Sequence, residues 1–312
     1  MSAKHPVRNM LLLVLCESVA RMPRWMADGL AWTLGTLTFL VSPSRRYVTL
    51  GNLGLAFPDK PASWRRRIAR RAIIHLMAEI FFGLRMTRMS KDDIANLCIN
   101  KSELDDVIER DRADGKGLVI LGAHLGNPSV LAVIMSRVAP VTGLGTPFRR
   151  NQGQNDYIQK QRAKLGLVFV PYNEWPLELL HALRRNEVVT LVTDQRPRRN
   201  RRFVWADFFG VQVRAIPFPA ELSRLAGAVM RPIFMVREGN RYRALIHERV
   251  SVPTKAEGEE GLALAAERWT EPLEREVRER PEQWSWTLRR WQQGPGEPEV
   301  PVLPLPPRVS GV

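Results

Sequence analysis

From residue 117 onward, short apolar runs alternate with longer segments whose apolar positions recur every three or four residues. Runs rich in Val, Ile and Leu are typical of buried strands, whereas the three-to-four spacing is typical of helices. The pattern predicts strands over 117–123, 140–145, 167–171, 188–193, 229–237 and 241–250. It predicts helices over 128–138, 151–165, 175–185 and 218–227. Such alternation favours an α/β sheet with functional groups at the strand ends.

The N-terminal region is apolar in two pieces, 10–16 and 29–41, with charged residues between them. Neither piece reaches the roughly 20 residues that a helix needs to span a bilayer. No small-residue cleavage site of the signal-peptide kind follows the first piece. Trp25 and Trp32 lie where an interfacial helix places amphipathic rings. We therefore predict one or two helices over 8–42 that lie in, or dip into, a membrane surface; hydrophobicity alone is equally compatible with a pair of core helices.

Two further helices and a tail are predicted outside the alternating region. A helix over 63–86 carries five arginines between 65 and 71, which form either a solvated face or a contact with lipid phosphates. A C-terminal helix over 261–279 presents an apolar face. Residues 294–312 hold six prolines in nineteen positions, which predicts a flexible tail.

Composition narrows the choice of partners. The net charge of +15 is compatible with nucleic acid, anionic lipid or an acidic protein. No helix-turn-helix, zinc-finger or RNP-like pattern accompanies the charge, so nucleic acid is not expected as a partner. The two cysteines have no metal-ligand spacing and no disulfide pattern, which fits a reducing compartment. No metal site and no organic cofactor is predicted.

The segment 122–129 carries the chemistry of greatest interest. His124 follows an apolar strand, and the next helix begins with Asn127, a good N-cap residue, and Pro128, which suits the first helical position. A neutral imidazole at such a turn can take a proton from a hydroxyl that attacks an acyl carbonyl.

The sequence Gly-Ala-His-Leu-Gly-Asn-Pro-Ser at 122–129 resembles the His-x4-Asp/Glu motif of glycerolipid and lipid A acyltransferases. The closest resemblance is to the lipid A late acyltransferase (lauroyl/myristoyl) family. Further blocks of that family occur in order along the chain: N-L-x-x-A-F-P at 52–58, an arginine before a glycine at 162–166, D-Q at 194–195, F-F-G at 208–210 and P-E-Q-W-x-W at 281–286. Leu288 stands where the last signature usually has a histidine.

The resemblance implies roles for individual residues. His124 would be the general base, Arg162 would hold the thioester carbonyl or a phosphate, and Asp194 is the third catalytic candidate. The implied substrate-binding residues are Asn127, Arg149, Gln195, Arg196, Phe209 and Gly210. For Arg196 the expected contact is an ion pair or a substrate anion.

Ser129 occupies the position of the motif carboxylate, and a hydroxyl cannot balance the charge of an imidazolium. Three interpretations follow. Asp194 or Asp207 supplies the charge from another strand; or His124 acts without a relay partner and loses about two to four orders of magnitude in rate; or the protein only binds lipid.

The expected function is transfer of a fatty acyl chain from acyl carrier protein or acyl-CoA to a hydroxyl of a lipid acceptor. The acceptor would be a lipid A precursor-like glycolipid or a lysophospholipid, at the cytoplasmic face of the inner membrane. The alternative is a catalytically silent relative that binds lipid or acyl carrier protein. The expected fold is a single α/β acyltransferase domain over 45–293, with a central mixed sheet flanked by helices and an apolar groove beside His124. Membrane-associated helices would occupy 1–44, and the flexible tail 294–312.

Overall fold

The computed structural model of the chain describes residues 6–145, 162–171, 175–197, 201–288, 290 and 291. The strands are β1 (Leu118–Gly122), β2 (Val141–Gly145), β3 (Leu167–Pro171), β4 (Val188–Val192), β5 (Val204–Phe208), β6 (Val211–Ala215), β7 (Val229–Glu238) and β8 (Arg241–Ile246). The helices of the first half are α1 (Pro6–Arg21), α2 (Arg24–Val41), α3 (Pro43–Ala56), α4 (Ala62–Met86), α5 (Lys91–Ala95) and α6 (Lys101–Arg112). Those of the second half are α7 (Pro128–Met135), α8 (Trp175–Arg184), α9 (Phe218–Ala226) and α10 (Gly258–Glu279).

A mixed sheet of six strands, in the order β3-β2-β4-β1-β7-β8, forms the centre of the described structure. Its first five strands are parallel, and β8 pairs antiparallel to β7 at the edge. The middle strand β1 is buried along its whole length, as its continuous apolar run requires in a sheet covered on both faces. The prediction of an α/β fold with a central mixed sheet flanked by helices is confirmed.

The N-terminal helices pack mainly on α4, and Asp28 of α2 also pairs with Arg237 of β7 at 2.6 Å. Helix α2 buries a stripe of Ala27, Ala31, Gly35 and Phe39, spaced four residues apart. A Cβ at Gly35 would lie 2.7 Å from the Cα of Ile74, so the glycine allows the backbones of α2 and α4 to approach closely. Within the described residues, no helix combines the length and apolarity that a membrane span requires.

All six strand predictions match observed strands to within a few residues, except that β8 ends at Ile246 instead of 250. Val250 still pairs with Met230 through an isolated bridge, so the end of the predicted strand remains beside the sheet. The hairpin β5–β6 and helices α3, α5 and α6 were not predicted. The predicted helix over 151–165 lies mostly outside the described residues, as does the tail. The predicted division after residue 44 falls inside α3, and it stays a prediction.

Candidate active site

The segment after β1 is held in place by close backbone contacts. Gly126 has a φ of +60°, and a Cβ there would lie 2.0 Å from the carbonyl oxygen of Met235, so no other residue fits. Its N–H donates to the Gln283 carbonyl at 2.9 Å, and the next N–H, of Asn127, donates to the Met235 carbonyl at 2.8 Å. These contacts fix His124 at the carboxyl end of the sheet, with 32% of its side chain exposed.

Asp194 lies beside His124 because β1 and β4 are parallel neighbours. Gly122 is opposite Val192 in the register, and both functional residues follow two positions later. The Thr193 N–H donates to the Gly122 carbonyl at 2.9 Å and extends the pairing. The carboxylate of Asp194 is completely buried, and its Oδ1 is 2.8 Å from Nδ1 of His124.

Three donors surround the Asp194 carboxylate. Oδ1 accepts from His124 Nδ1, whereas Oδ2 accepts from the His124 backbone N–H at 2.8 Å and from Nε1–H of Trp284 at 2.9 Å. Burial alone would raise the pKa of Asp194, but the adjacent imidazole and these hydrogen bonds hold it below the ordinary range. The carboxylate is therefore ionised at neutral pH.

The same pair sets the protonation of His124. Burial alone would lower the pKa of the imidazole, but the charge of Asp194 and its hydrogen bond outweigh burial and raise the pKa above 6.5. Because the ionised carboxylate can only accept, Nδ1 carries a proton and Nε2 of the neutral ring is left as the basic atom. The side-chain amide of Gln195 lies 3.3 Å from Nε2 and can donate to it.

A cavity of about 290 Å³ opens at His124. Its lining is mainly apolar and includes Ala132, Leu144, Phe169, Ile216 and Phe218. The polar groups that reach it include His124, Ser129, Arg162, Thr190 and Gln195. An apolar cavity with a few convergent polar groups is the usual form of a small-molecule site.

Arg162 is brought to the same cavity as His124, although 38 residues separate them in the sequence. Its guanidinium stacks on Phe169, with the central carbon 4.0 Å from the ring centroid. Burial lowers the pKa of Arg162, yet a guanidinium remains charged at any physiological pH. Within the described part of the chain, the cavity lining thus includes both a fixed positive charge, Arg162, and a basic imidazole, His124.

Ser129 is exposed and lines the cavity, but no hydrogen bond joins its hydroxyl to His124 among the described contacts. Of the two carboxylates considered as substitutes, Asp194 contacts the imidazole. Asp207 lies on the hairpin, where it accepts from Nε2 of Gln212 at 2.5 Å and lines a separate groove along α10. The negative charge that Ser129 cannot supply comes from Asp194, whose carboxylate contacts Nδ1 of the ring.

The comparisons with known proteins show the family of the chain. A family model described as bacterial lipid A biosynthesis acyltransferase matches residues 2–293. The chain belongs to this family. It is 26% identical over 263 residues to the lipid A biosynthesis palmitoleoyltransferase of Escherichia coli (strain K12), with 80% of each chain covered. The same values hold for the lipid A biosynthesis acyltransferase of Shigella flexneri. The protein is an acyltransferase and requires an acyl donor and a lipid acceptor.

Not every predicted substrate-binding residue of the acyltransferase reaches the cavity. Asn127 is buried, and its Oδ1 caps α7 by accepting from the N–H groups of Ser129 and Val130. Its amide donates to Oε2 of the buried Glu79 at 2.8 Å. These internal hydrogen bonds occupy the side chain, so its structural role is to anchor the motif to α4.

Phe209 and Gly210 form the two-residue turn of the β5–β6 hairpin, with φ of +57° and +69°. Phe209 packs edge-on against Phe57 and Trp286, and neither turn residue lines the His124 cavity. The structure therefore places the two phenylalanines of F-F-G in the aromatic core of the acyltransferase instead of beside the base, and Gly210 is exposed. Arg196 follows Gln195 in the turn after β4, and Arg149 lies outside the described residues.

The sequence analysis missed one contributor to the site, Trp284. The block P-E-Q-W-x-W was recognised as a family signature. Because it is distant from His124 along the chain, the sequence did not predict that Trp284 contacts the catalytic pair. Trp284 is 1% exposed and donates directly to Asp194. Among the described residues, no group of three His, Cys, Asp or Glu side chains is arranged to hold a metal ion.

Proposed function

We propose that this acyltransferase transfers a fatty acyl chain from a thioester donor to a hydroxyl of a lipid A precursor or a similar glycolipid. The observation that carries the proposal is the His124–Asp194 pair at the mouth of an apolar cavity. Nε2 of His124 takes the proton of the acceptor hydroxyl while the oxygen of that hydroxyl attacks the thioester carbonyl. A C–O bond forms, the C–S bond breaks, and the imidazolium returns the proton to the departing thiolate.

In this mechanism Asp194 orients the ring and balances the imidazolium charge. It keeps the proton on Nδ1, so that Nε2 faces the acceptor, and its ionised form is already held by two further donors. Gln195 occupies the position next to Nε2, so the incoming hydroxyl displaces its amide or receives a hydrogen bond from it.

Arg162 is proposed to stabilise the negative charge that develops on the thioester oxygen or to bind a phosphate of a substrate. Its support is the shared cavity and the stacking on Phe169, which holds the guanidinium plane in one orientation. A preorganised charge at a developing oxyanion contributes about 3–4 kcal/mol in comparable sites.

The apolar part of the cavity is proposed to hold the acyl chain. Its floor includes Gly143, where a Cβ would lie 3.2 Å from both Phe169 and Thr190. Any side chain at this position would shorten the available space. The donor is acyl carrier protein or acyl-CoA, and the net charge of +15 suits either an acidic carrier protein or an anionic nucleotide portion.

We further propose that α2 rests on the cytoplasmic face of the inner membrane. Away from its buried stripe, α2 exposes several large apolar side chains, with Trp25 75%, Trp32 56% and Val41 74% exposed. A globular surface rarely leaves so many bulky apolar residues together without a partner. Aromatic rings at a membrane–water interface are a typical arrangement.

The test of the catalytic proposal is a transfer assay with purified protein. Labelled acyl carrier protein and acyl-CoA are supplied with a panel of lipid hydroxyl acceptors, beside the His124→Ala variant. Product that depends on His124 would support the proposal and name the acceptor. Turnover retained by His124→Ala would overturn the role of His124, and lipid binding without donor consumption would favour the silent alternative.

Membrane contact is tested separately by sedimentation with anionic vesicles. Trp25→Ser/Trp32→Ser should reduce vesicle binding, whereas a control pair on another exposed surface, Leu177→Ser/Leu225→Ser, should not. Equal binding by both double variants would refute the proposed orientation.

A further inference from the structure

The C-terminal segment 283–285 contacts both halves of the catalytic pair. The Gln283 carbonyl accepts from the Gly126 N–H, and the Ser285 N–H donates to the His124 carbonyl at 3.0 Å. Between them, Trp284 donates its indole N–H to Oδ2 of Asp194 at 2.9 Å. The histidine turn and the aspartate turn are thereby joined through one short segment.

The indole of Trp284 is fixed by its surroundings. It is 1% exposed, and its ring packs edge-on against Phe208 at 5.6 Å and against Trp286 at 4.7 Å. Because the ring is held by aromatic neighbours, the direction of its N–H is fixed as well. The donor therefore reaches the carboxylate at a constant geometry.

We infer that Trp284 is a positioning residue that sets both the orientation and the charge available from Asp194. This inference rests on the proposed function of His124 as the base. The indole hydrogen bond and the Nδ1–H of His124 draw on the same carboxylate. The charge of the buried Arg290 also acts on Asp194, and it is the same with and without the indole. A donor to one oxygen of a carboxylate reduces its attraction for a proton at the other oxygen. Trp284 thus limits how far Asp194 raises the pKa of His124.

The inference predicts a specific sign. Removal of the indole N–H leaves Asp194 more basic, so the pKa of His124 should rise further and the acid limb of the pH–rate profile should move to higher pH. Looser orientation of the ring should also lower kcat by about ten- to a hundredfold, the range expected for loss of a hydrogen bond to a charged group. KM should be unchanged, since Trp284 does not line the cavity.

The experiment compares Trp284→Phe with Trp286→Phe. Trp286 is an equally buried member of the same aromatic cluster, but its Nε1–H donates to the Pro281 carbonyl at 2.5 Å instead of to Asp194. Both variants lose one indole hydrogen bond in the same core. Only Trp284→Phe should lower kcat at constant KM and move the acid limb upward. Equal effects in both, or an unchanged acid limb in Trp284→Phe, would overturn the inference.

A second measurement follows the unaltered protein and needs neither substrate nor a folded Trp284 variant. The imidazole of His124 is titrated by NMR, with the signal assigned from its loss in His124→Gln. The indole N–H signal of Trp284 should shift with the same midpoint, and that of Trp286 should not. If the indole N–H signal of Trp284 does not shift as His124 titrates, the inference is overturned. Turnover by His124→Ala would instead overturn the proposed function and leave the NMR result intact.

Discussion

Replacement of Asp194 by asparagine tests the catalytic pair most directly. Two donors, the His124 backbone N–H and the indole N–H of Trp284, converge on Oδ2 at 2.8 and 2.9 Å. In Asp194→Asn the amide oxygen must face these two donors, since its NH2 group cannot accept from them. The NH2 group then faces Nδ1 of His124, which becomes the acceptor. The ring proton moves to Nε2, and the basic atom is removed from the cavity.

The expected loss follows from this tautomer change. A comparable substitution in serine protease triads lowers kcat by about 10⁴, which corresponds to about 5.5 kcal/mol of transition-state stabilisation. We expect a similar loss here, with little change in fold because the two side chains have the same shape. The residual activity should also show its acid limb at lower pH, since burial lowers the pKa of His124 once the charge of Asp194 is gone.

The assay is steady-state transfer from a labelled thioester across a pH series, with thermal unfolding measured in parallel. Asp207→Asn is the matched control, because that carboxylate is exposed on the hairpin and hydrogen-bonded only to Gln212 among the described contacts. It should retain activity within about twofold, as expected for a surface substitution. Asp194→Asn with more than a tenth of the unaltered rate would refute the relay.

Four further outcomes are expected. The rate should rise with pH through a midpoint above 6.5, because only neutral His124 accepts a proton and its pKa is raised; a midpoint below 6.5 in a pH–rate profile would contradict this. Arg162→Lys should lower kcat/KM by about ten- to a hundredfold, since lysine lacks the planar fork, as steady-state kinetics would show. Gly143→Ala should shift the chain-length preference toward shorter donors in competition assays, whereas Gly29→Ala, where a Cβ meets nothing within 4 Å, should not. Asn52→Ala should lower the free energy of unfolding by about 2–4 kcal/mol in denaturant titrations, since its amide donates to two carbonyls, at 2.8 and 2.7 Å, within the C-terminal segment.

The sheet could be predicted because its strands are short, apolar and separated by clear turns. The β5–β6 hairpin could not, since its turn is Phe209-Gly210 in place of the usual Asn-Gly, and a non-glycine residue takes the positive φ. Residues 43–56 contain glycines and few periodic apolar positions, yet they form α3. That helix is stabilised by packing, and its buried Asn52 holds the C-terminal segment in place.

The residues of the candidate site could be proposed from the sequence, whereas their geometry could not. His124, Asp194, Gln195 and Arg162 were all identified from the sequence, and the cavity joins His124, Gln195 and Arg162. The spacing of these residues along the sequence does not show which carboxylate contacts the imidazole of His124. The contact depends on the register of β1 against β4. Asn127 was predicted both as an N-cap residue and as a substrate-binding residue, and the structure confirms the cap.

The register also explains how serine is accommodated at position 129. A carboxylate at position 129 would lie in the first turn of α7, in the same segment as His124. Asp194 instead comes from the neighbouring strand, and its Oδ1 already occupies the hydrogen-bonding position at Nδ1. Ser129→Glu should therefore bring no gain in the transfer rate, because the Nδ1–H of His124 is already bonded to Asp194 and cannot donate to a second carboxylate. A tenfold gain in the transfer assay would mean that Asp194 alone does not balance the imidazolium charge, and that the second carboxylate does so from the cavity.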